Sequence, residues 1–529
     1  MVLLKRISFS LLGLLLVTLV ASTVIGKIYG SNVAAKLIYD SIWFVLLWVL
    51  FSVSSLLYIL SRNLIRRVHT FLLHLSFIII LAGAYVTWLY GESGSIHLRN
   101  GESSNFFIDS KGYTHIMPFN LRLDEFVKEY YSNSSLPKDY VSHISVRDKH
   151  RVSSDKISMN KPFIFMNYRF CQGSYDDDGK GSALLVSYDP YGIMITYIGY
   201  MFLLITMLLF FLDRQSRFRQ LIKARIFKRG TTFVILMSLA FSLQAQTYTH
   251  ENALVEVYDS VRFLKPLSIA LIVSGVICFV YYCRQIIFGR TLSSILSFTL
   301  NIFLGVLFFF ISTLLGIRWY IINSIPLSTG FETMLFMAWI IILLTLFIQR
   351  RFKMIMPFGL LVGGLAMLIA SLFPLGSELH PVRPVLASPL LSIHVITIMT
   401  AYALLSFVTL DGIAASVIFY SNRKRRVEVD RLRIISEIIL YPAIFLLAFG
   451  IFTGAVWANI SWGRYWGWDP KEVWALITFL LYSLAIHSDS LPWFRKSMFF
   501  HIFCIVAFAA VLITYFGVNF LLGGMHGYV

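Results

Sequence analysis

Trp462-Gly-Arg-Tyr-Trp-Gly-Trp-Asp-Pro-Lys-Glu-Val-Trp474 interrupts two long apolar runs, and its reading decides the architecture around it. The chain holds eleven tryptophans, and Trp457, Trp462, Trp466, Trp468 and Trp474 crowd into or beside this one loop. A plain aromatic belt at a membrane surface would spread Trp and Tyr over all the helix ends. Here glycines separate the rings, and Arg464, Asp469 and Glu472 accompany them, which suits a binding platform. The loop ends as a helix start: Asp469 as N-cap, Pro470 at the first helical position and Glu472 reaching back as in a capping box.

Outward from the loop, the chain is 57% hydrophobic and 14% charged over 529 residues, too apolar for a soluble protein of this length. The formal charge of +18 could suggest nucleic acid, but the distribution of the basic residues argues against it. More than half of the 45 Lys and Arg fall in alternate connecting segments: the N-terminus, 61–68, 213–230, 284–290, 349–353, 421–436 and 490–497. That is the positive-inside pattern, and it sets topology. It puts the N-terminus inside and 91–190, the tryptophan loop and the C-terminus outside. Cys171, Cys278, Cys283 and Cys504 form no C-x-x-C pair, which argues against a disulfide framework, a thiolate metal site and a thioredoxin-like motif.

The expected fold is a polytopic α-helical membrane protein of about 13 transmembrane helices with one β-rich extracytoplasmic domain. Spans are expected near 7–25, 38–60, 69–90 and 191–212, then near 263–283, 291–316, 329–348, 354–374, 391–418, 437–457, 473–489 and 498–522. Residues 231–246 read as a short uncleaved helix, with a processed signal peptide as the competing reading. Polar, short-period alternation over 91–190 predicts the β-rich domain. The organisation is therefore 1–212, a basic linker with a short helix and loop over 213–262, and 263–529 carrying the loop at 457–474.

Topology selects among the twelve histidines. His74 lies seven residues past Arg67, about 10 Å along a helix. His487 lies eight residues before Arg495, at a similar depth. An ionisable group inside a span is costly and marks function, so two at one depth suggest a pair. His394 opens a span on the outer side and His526 follows the last one, so both can flank the tryptophan loop.

Trp462-Gly, Trp466, Trp468-Asp469-Pro470-Lys471-Glu472 and Trp474 resemble the WWD signature of heme-handling proteins in cytochrome c maturation. Arg318-Trp-Tyr320, Gly330-Phe-Glu332, Pro389 through His394 and Met525-His526-Gly-Tyr528 resemble the CcsA/ResC family. Gly91 through Glu102, Tyr168 through Tyr175 and Asp189-Pro190 are similar to the CcsB/ResB family. Nearly the whole chain thus resembles a natural CcsB–CcsA fusion, the system II cytochrome c synthetase.

The resemblance implies that heme b is the substrate, moved outward and joined by thioethers to an apocytochrome c carrying C-x-x-C-H. His74, His487, His394 and His526 would ligate the heme iron. Trp462, Trp466, Trp468 and Trp474 would receive the ring, and Arg464, Arg383 and Arg318 its propionates. His394, His526, Trp462, Trp466, Trp468 and Asp469 would form the reacting site. A bacterial cytoplasmic membrane, with the site facing the periplasm, thiol-reducing partners and membrane lipid, completes the expectation. The alternative is a heme exporter without ligation activity.

Overall fold

The computed structural model describes residues 1–131, 135–148, 152–223, 264–288, 294–349, 355–372 and 381–524, with backbone only at 66 and 294–297. The first part supplies α1 (Val2–Tyr29), α2 (Ile42–Ser61), α3 (Val68–Tyr90) and, beyond a sheet, α4 (Gly192–Leu212) and the short α5 (Arg217–Lys223). The second part supplies α6 (Leu264–Phe288), α7 (Ser294–Ile322), α8 (Gly330–Ile348), α9 (Ile355–Ala370) and α10 (Pro389–Ser421). It ends with α11 (Arg426–Trp462), α12 (Pro470–Ala485) and α13 (Ser497–Leu512), which continues as a π-helix over Ile513–Leu522.

Ten helices among the described residues are long and apolar enough to cross a membrane. This is a multi-pass membrane protein. Within lipid every backbone polar group must be satisfied inside its own segment, which is why uninterrupted apolar runs become helices. The helices α9 and α12 are shorter, at sixteen residues each. The expected short helix at 231–246 lies outside the described residues.

Several helix boundaries differ from the sequence expectation. The second span begins at Ile42, because Ala35–Tyr39 closes a π-helical turn that ends at Asp40 and Ser41. The helix α11 runs far beyond 437–457 at both ends and carries Pro442 internally. The helix α12 stops at Ala485 rather than near 489. Its start is as read: the Asp469 carboxylate accepts from the Lys471 N–H, and Glu472 closes the capping box from Pro470 onward.

Residues 92–188 build one antiparallel sheet of eight strands. These are β1 (Glu92–Arg99), β2 (Ser103–Asp109), β3 (Thr114–Tyr130), β4 (Pro137–Arg147), β5 (Val152–Ile157), β6 (Phe163–Phe165), β7 (Tyr168–Tyr175) and β8 (Gly181–Tyr188). The spatial order is β5-β4-β3-β2-β1-β8-β7-β6. Strand β3 shows why the sequence chooses a sheet: Met117, Phe119, Leu121 and Leu123 turn inward while the residues between them face out.

The sheet springs from two neighbouring helix ends, since β1 follows α3 and β8 precedes α4. Those helices touch closely: a Cβ on Gly83 would lie 2.6 Å from the Thr196 backbone nitrogen, so only glycine fits. The sheet is also tied to the second part of the chain. Arg169 Nη1 donates to Asn459 O (2.8 Å), Trp457 Nε1 to Asn160 Oδ1 (3.1 Å) and Tyr131 OH to Val382 O (3.0 Å). At roughly 0.5–1.5 kcal/mol net each, such bonds orient the sheet more than they stabilise it. The deeper join is apolar: Leu203 and Met207 of α4 pack into the same core as Leu271, Leu335, Leu405 and Leu447.

Candidate functional site

His74 of α3 and His487, two residues past the end of α12, place their ring centroids 5.9 Å apart with planes at 87°. Each ring is fixed by the turn before it. His74 Nδ1 donates to Thr70 O (2.7 Å) and His487 Nδ1 donates to Ser483 O (2.6 Å). A carbonyl can only accept, so both Nδ1 atoms carry the proton and each Nε2 keeps its lone pair. A hydrogen bond of this kind on the far ring nitrogen sets the tautomer that binds a metal. Two metal–imidazole bonds of about 2.0–2.1 Å, plus the half-widths of two rings, span roughly 6 Å. Among the described residues no group of three His, Cys, Asp or Glu could hold a bare ion. Two imidazoles alone do not complete a metal's coordination, so any metal held here would have to bring further donors of its own.

The pair lines a cavity of about 2280 Å³. Its charged lining includes Arg62, Arg67 and Arg217 together with Asp213 and Asp489. The middle is aromatic: Phe77 lies 5.7 Å from Phe479 and 6.5 Å from Phe452, which in turn lies 4.5 Å from Tyr200. One end lies beneath the tryptophan loop and is lined by Arg464, Trp466 and Trp468. Trp466 and Trp468 meet edge to face at 5.8 Å. Trp468 stacks on Tyr39 at 4.7 Å and meets Phe44 at 5.2 Å. The indole nitrogens of Trp48 and Trp466 are both buried without a partner among the described residues, and both residues line the cavity.

The five tryptophans divide into two groups. Trp466 and Trp468 line the cavity. Trp457 is buried, bonded to Asn160, and meets Trp462 at 4.8 Å. Trp474 is buried in the core that α1, α2 and α12 share. Asp469 is 7% exposed and acts as the helix cap.

His394 lies elsewhere. Its Nδ1 donates to Gly450 O of α11 (2.7 Å), and its ring rests where a Cβ on Gly454 would come within 2.6 Å. The cavity is lined by Ala448 and Phe452 of the same helix. At 3.6 residues per turn a step of two residues is about 200°, so His394 sits behind α11 relative to the cavity. His526 and His380 lie outside the described residues.

Arg318, expected as a propionate partner, lies in the core. It is 1% exposed, its Nε lies 2.5 Å from Glu332 Oε1, and its guanidinium covers the Phe331 ring. Glu332 also caps α8, its other oxygen accepting from the Ser328 and Thr329 N–H groups. Arg383 is exposed in the segment before Pro384–Leu386, against which the Asn160 side chain is bonded. Asp411 is fully buried in α10, with Oδ2 taking the Ser436 hydroxyl at 2.5 Å.

Sequence reasoning missed residues that meet only through the sheet register. His115 lines the far rim of the cavity with Nδ1 3.1 Å from Glu92 and Nε2 3.4 Å from Asp109. It stacks on Phe107, its partner across the β2–β3 hairpin, at 5.0 Å. Tyr465 OH donates to Thr87 Oγ1 (3.0 Å), which fastens the tryptophan loop to the end of α3. The hairpin spacing between 107 and 115 was the one signal available. Cys171 is the single cysteine of the sheet, and burial pushes its thiol up to about 12 despite the nearby Arg169 charge. It is a packed side chain and a poor nucleophile.

Comparison with known proteins follows the same division. Residues 59–192 match the ResB-like family and residues 327–526 match the family described as Cytochrome C assembly protein. The chain is 35% identical over 230 residues to Protein NrfI of Wolinella succinogenes, a match covering 42% of this chain and 26% of that protein. It is 31% identical over 264 residues to the cytochrome c biogenesis protein CcsA of Mesostigma viride, covering 42% of this chain and 85% of that one. With CcsA of Chlamydomonas reinhardtii the identity is 32% over 240 residues, 43% of this chain and 67% of the relative. By these matches the chain belongs to the CcsA family of cytochrome c biogenesis proteins and joins a ResB-like unit to a CcsA-like unit in one polypeptide, as in the CcsB–CcsA fusions of system II.

Proposed function

We propose that the protein carries heme b across the membrane and joins it to a C-x-x-C-H apocytochrome c. The observation that carries this is the His74–His487 pair, whose fixed tautomers present two Nε2 lone pairs in the cavity that also holds Arg464, Trp466 and Trp468. Heme is the substrate. The imidazoles take its iron on both axial sides, and the aromatic wall from Phe77 to Tyr200 accepts the macrocycle faces.

From the pair, the substrate moves along the cavity until it lies beneath the tryptophan loop. The loop follows the end of α11, so a ring passing over that end reaches the side on which His394 stands. His394 and His526 ligate it there, and Arg464 and Arg383 meet its carboxylates. The reaction adds each peptide thiol across a heme vinyl group. A carbon–sulfur bond forms, the carbon–carbon double bond becomes single, and the thiol proton ends on the vinyl carbon. Both thiols must be reduced and must come from the apocytochrome, since Cys171 is buried and protonated. The protein contributes geometry, holding thiol and vinyl group in reacting distance. Its setting is a bacterial cytoplasmic membrane with the sheet on the periplasmic side, where thiol-reducing partners keep the apocytochrome ready.

The test is to load the purified protein with heme and add a reduced C-x-x-C-H peptide. Peptide-linked heme that survives acid–acetone extraction is expected. If all heme on the peptide remains extractable, the protein delivers heme and another catalyst joins it.

A further inference from the structure

The register of the sheet fixes which of its turns lie at the membrane. Glu92, two residues past α3, pairs with Tyr188, four residues before α4. Tyr90 and Tyr191 at those helix ends are exposed, with ring centroids 6.2 Å apart, the pattern of interfacial tyrosines. From this level the pairing runs outward. Gly94 pairs with Asp109, so the β2–β3 turn at 110–113 returns to the height of Glu92. Tyr168 pairs with Tyr188, so the β6–β7 turn at Met166 and Asn167 lies at the same height. The turns at 100–102 and 176–180 lie at the opposite end of these strands.

The two ends differ in chemistry. The distal turns read Asn100-Gly-Glu102 and Asp176-Asp-Asp-Gly-Lys180. The membrane-level turns expose Tyr113 (67%), and Ile164 (56%) with Met166 (48%). Ile108 and Ile116 extend the first patch on the outward face of the hairpin. Ile164 also shares a shallow groove with Met194, Ile198 and Met201 of α4, so the second patch is continuous with the lipid-facing side of a spanning helix. Exposed apolar residues and a tyrosine at headgroup height fit the acyl–headgroup boundary of a bilayer.

We propose that the β2–β3 and β6–β7 turns are seated in the lipid interface of the membrane that the helices span. They act as two feet that hold the sheet at a fixed height. The inward side of the first foot carries His115 at the rim of the cavity, so lipid lies on one face of this hairpin and the cavity on the other.

Site-specific labelling tests this directly. All four native cysteines are buried, so Tyr113→Cys, Met166→Cys and Asp177→Cys each present one accessible thiol for an environment-sensitive fluorophore. The full-length protein is reconstituted into phosphatidylcholine–phosphatidylglycerol vesicles containing a brominated acyl chain as quencher. Labels at 113 and 166 should emit to the blue of the label at 177 and be quenched at least threefold more. Quenching at 113 and 166 no greater than at 177 overturns the proposal.

Discussion

His74 and His487 come from opposite ends of the chain, yet their rings stand 5.9 Å apart and nearly perpendicular. Each donates its Nδ1 proton to the carbonyl four residues earlier, which leaves each Nε2 with its lone pair, and both residues line one cavity. Replacing either with alanine removes one axial ligand and should lower retained heme at least tenfold, about 1.4 kcal/mol. The absorption spectrum of the purified variants checks it. Wild-type heme content and an unchanged bis-imidazole spectrum in both variants would rule out the assignment.

His394 stands behind α11, so its replacement should separate two heme populations. His394→Gly should keep the spectrum of the His74–His487 pair and lose cytochrome maturation, and added imidazole should restore part of it. Loss of all heme from this variant would show that His394 does not serve a separate site.

The tryptophans should not behave alike. Trp466→Ala should lower heme binding and also lower thermal stability, because the side chain packs against the main core and meets Trp468 edge to face. Trp468→Ala also removes the stack on Tyr39, so it should lose about 0.5–1.5 kcal/mol of stability beyond the burial effect. Trp457→Phe should cost more than the roughly 1 kcal/mol of its bond to Asn160, because replacing the buried indole also leaves a cavity, and should leave heme content unchanged. Heme titration with thermal unfolding in detergent distinguishes the three.

Glu332→Gln should be among the most damaging substitutions far from the cavity. It removes the charge that offsets the buried Arg318, and breaking a buried pair from one side costs about 3–5 kcal/mol. Thermal unfolding should show this, with the bound-heme spectrum unaltered in whatever protein remains folded. Wild-type stability of the variant would mean that Arg318 finds full compensation without the Glu332 charge.

Cys171 should resist alkylation in the folded protein. With its thiol pushed up to about 12, only about one molecule in ten thousand carries the thiolate at pH 8. Mass spectrometry after maleimide treatment should find it modified only on unfolding. Rapid labelling of the native protein would contradict its burial.

Local chemistry was legible without a structure. Apolar runs had to become helices, because lipid offers the backbone no other hydrogen-bond partner. The cap at Asp469, Pro470 and Glu472 was readable because its bonds span only a few residues. The same holds for the alternation in β3, since side chains on a strand change face at each step. Depth was legible too: counting from Arg67 and Arg495 puts His74 and His487 at one level, where the structure brings them together.

Azimuth was not. Which way a residue points around its helix depends on the neighbour that packs there, and that neighbour is distant in sequence. Gly450 and Gly454 draw His394 to the rear of α11, Glu332 draws Arg318 into the core, and Asn160 draws Trp457 away from the loop's ligand face. His115 gained its carboxylates only when Glu92 and Asp109 met through strand pairing. The sequence by itself determined that there would be helices, a sheet and a tryptophan loop, since those follow from short-range bonding and from the solvent. The tertiary structure alone decided which side chains share the cavity, because packing sets rotation about each helix axis and no local pattern encodes it.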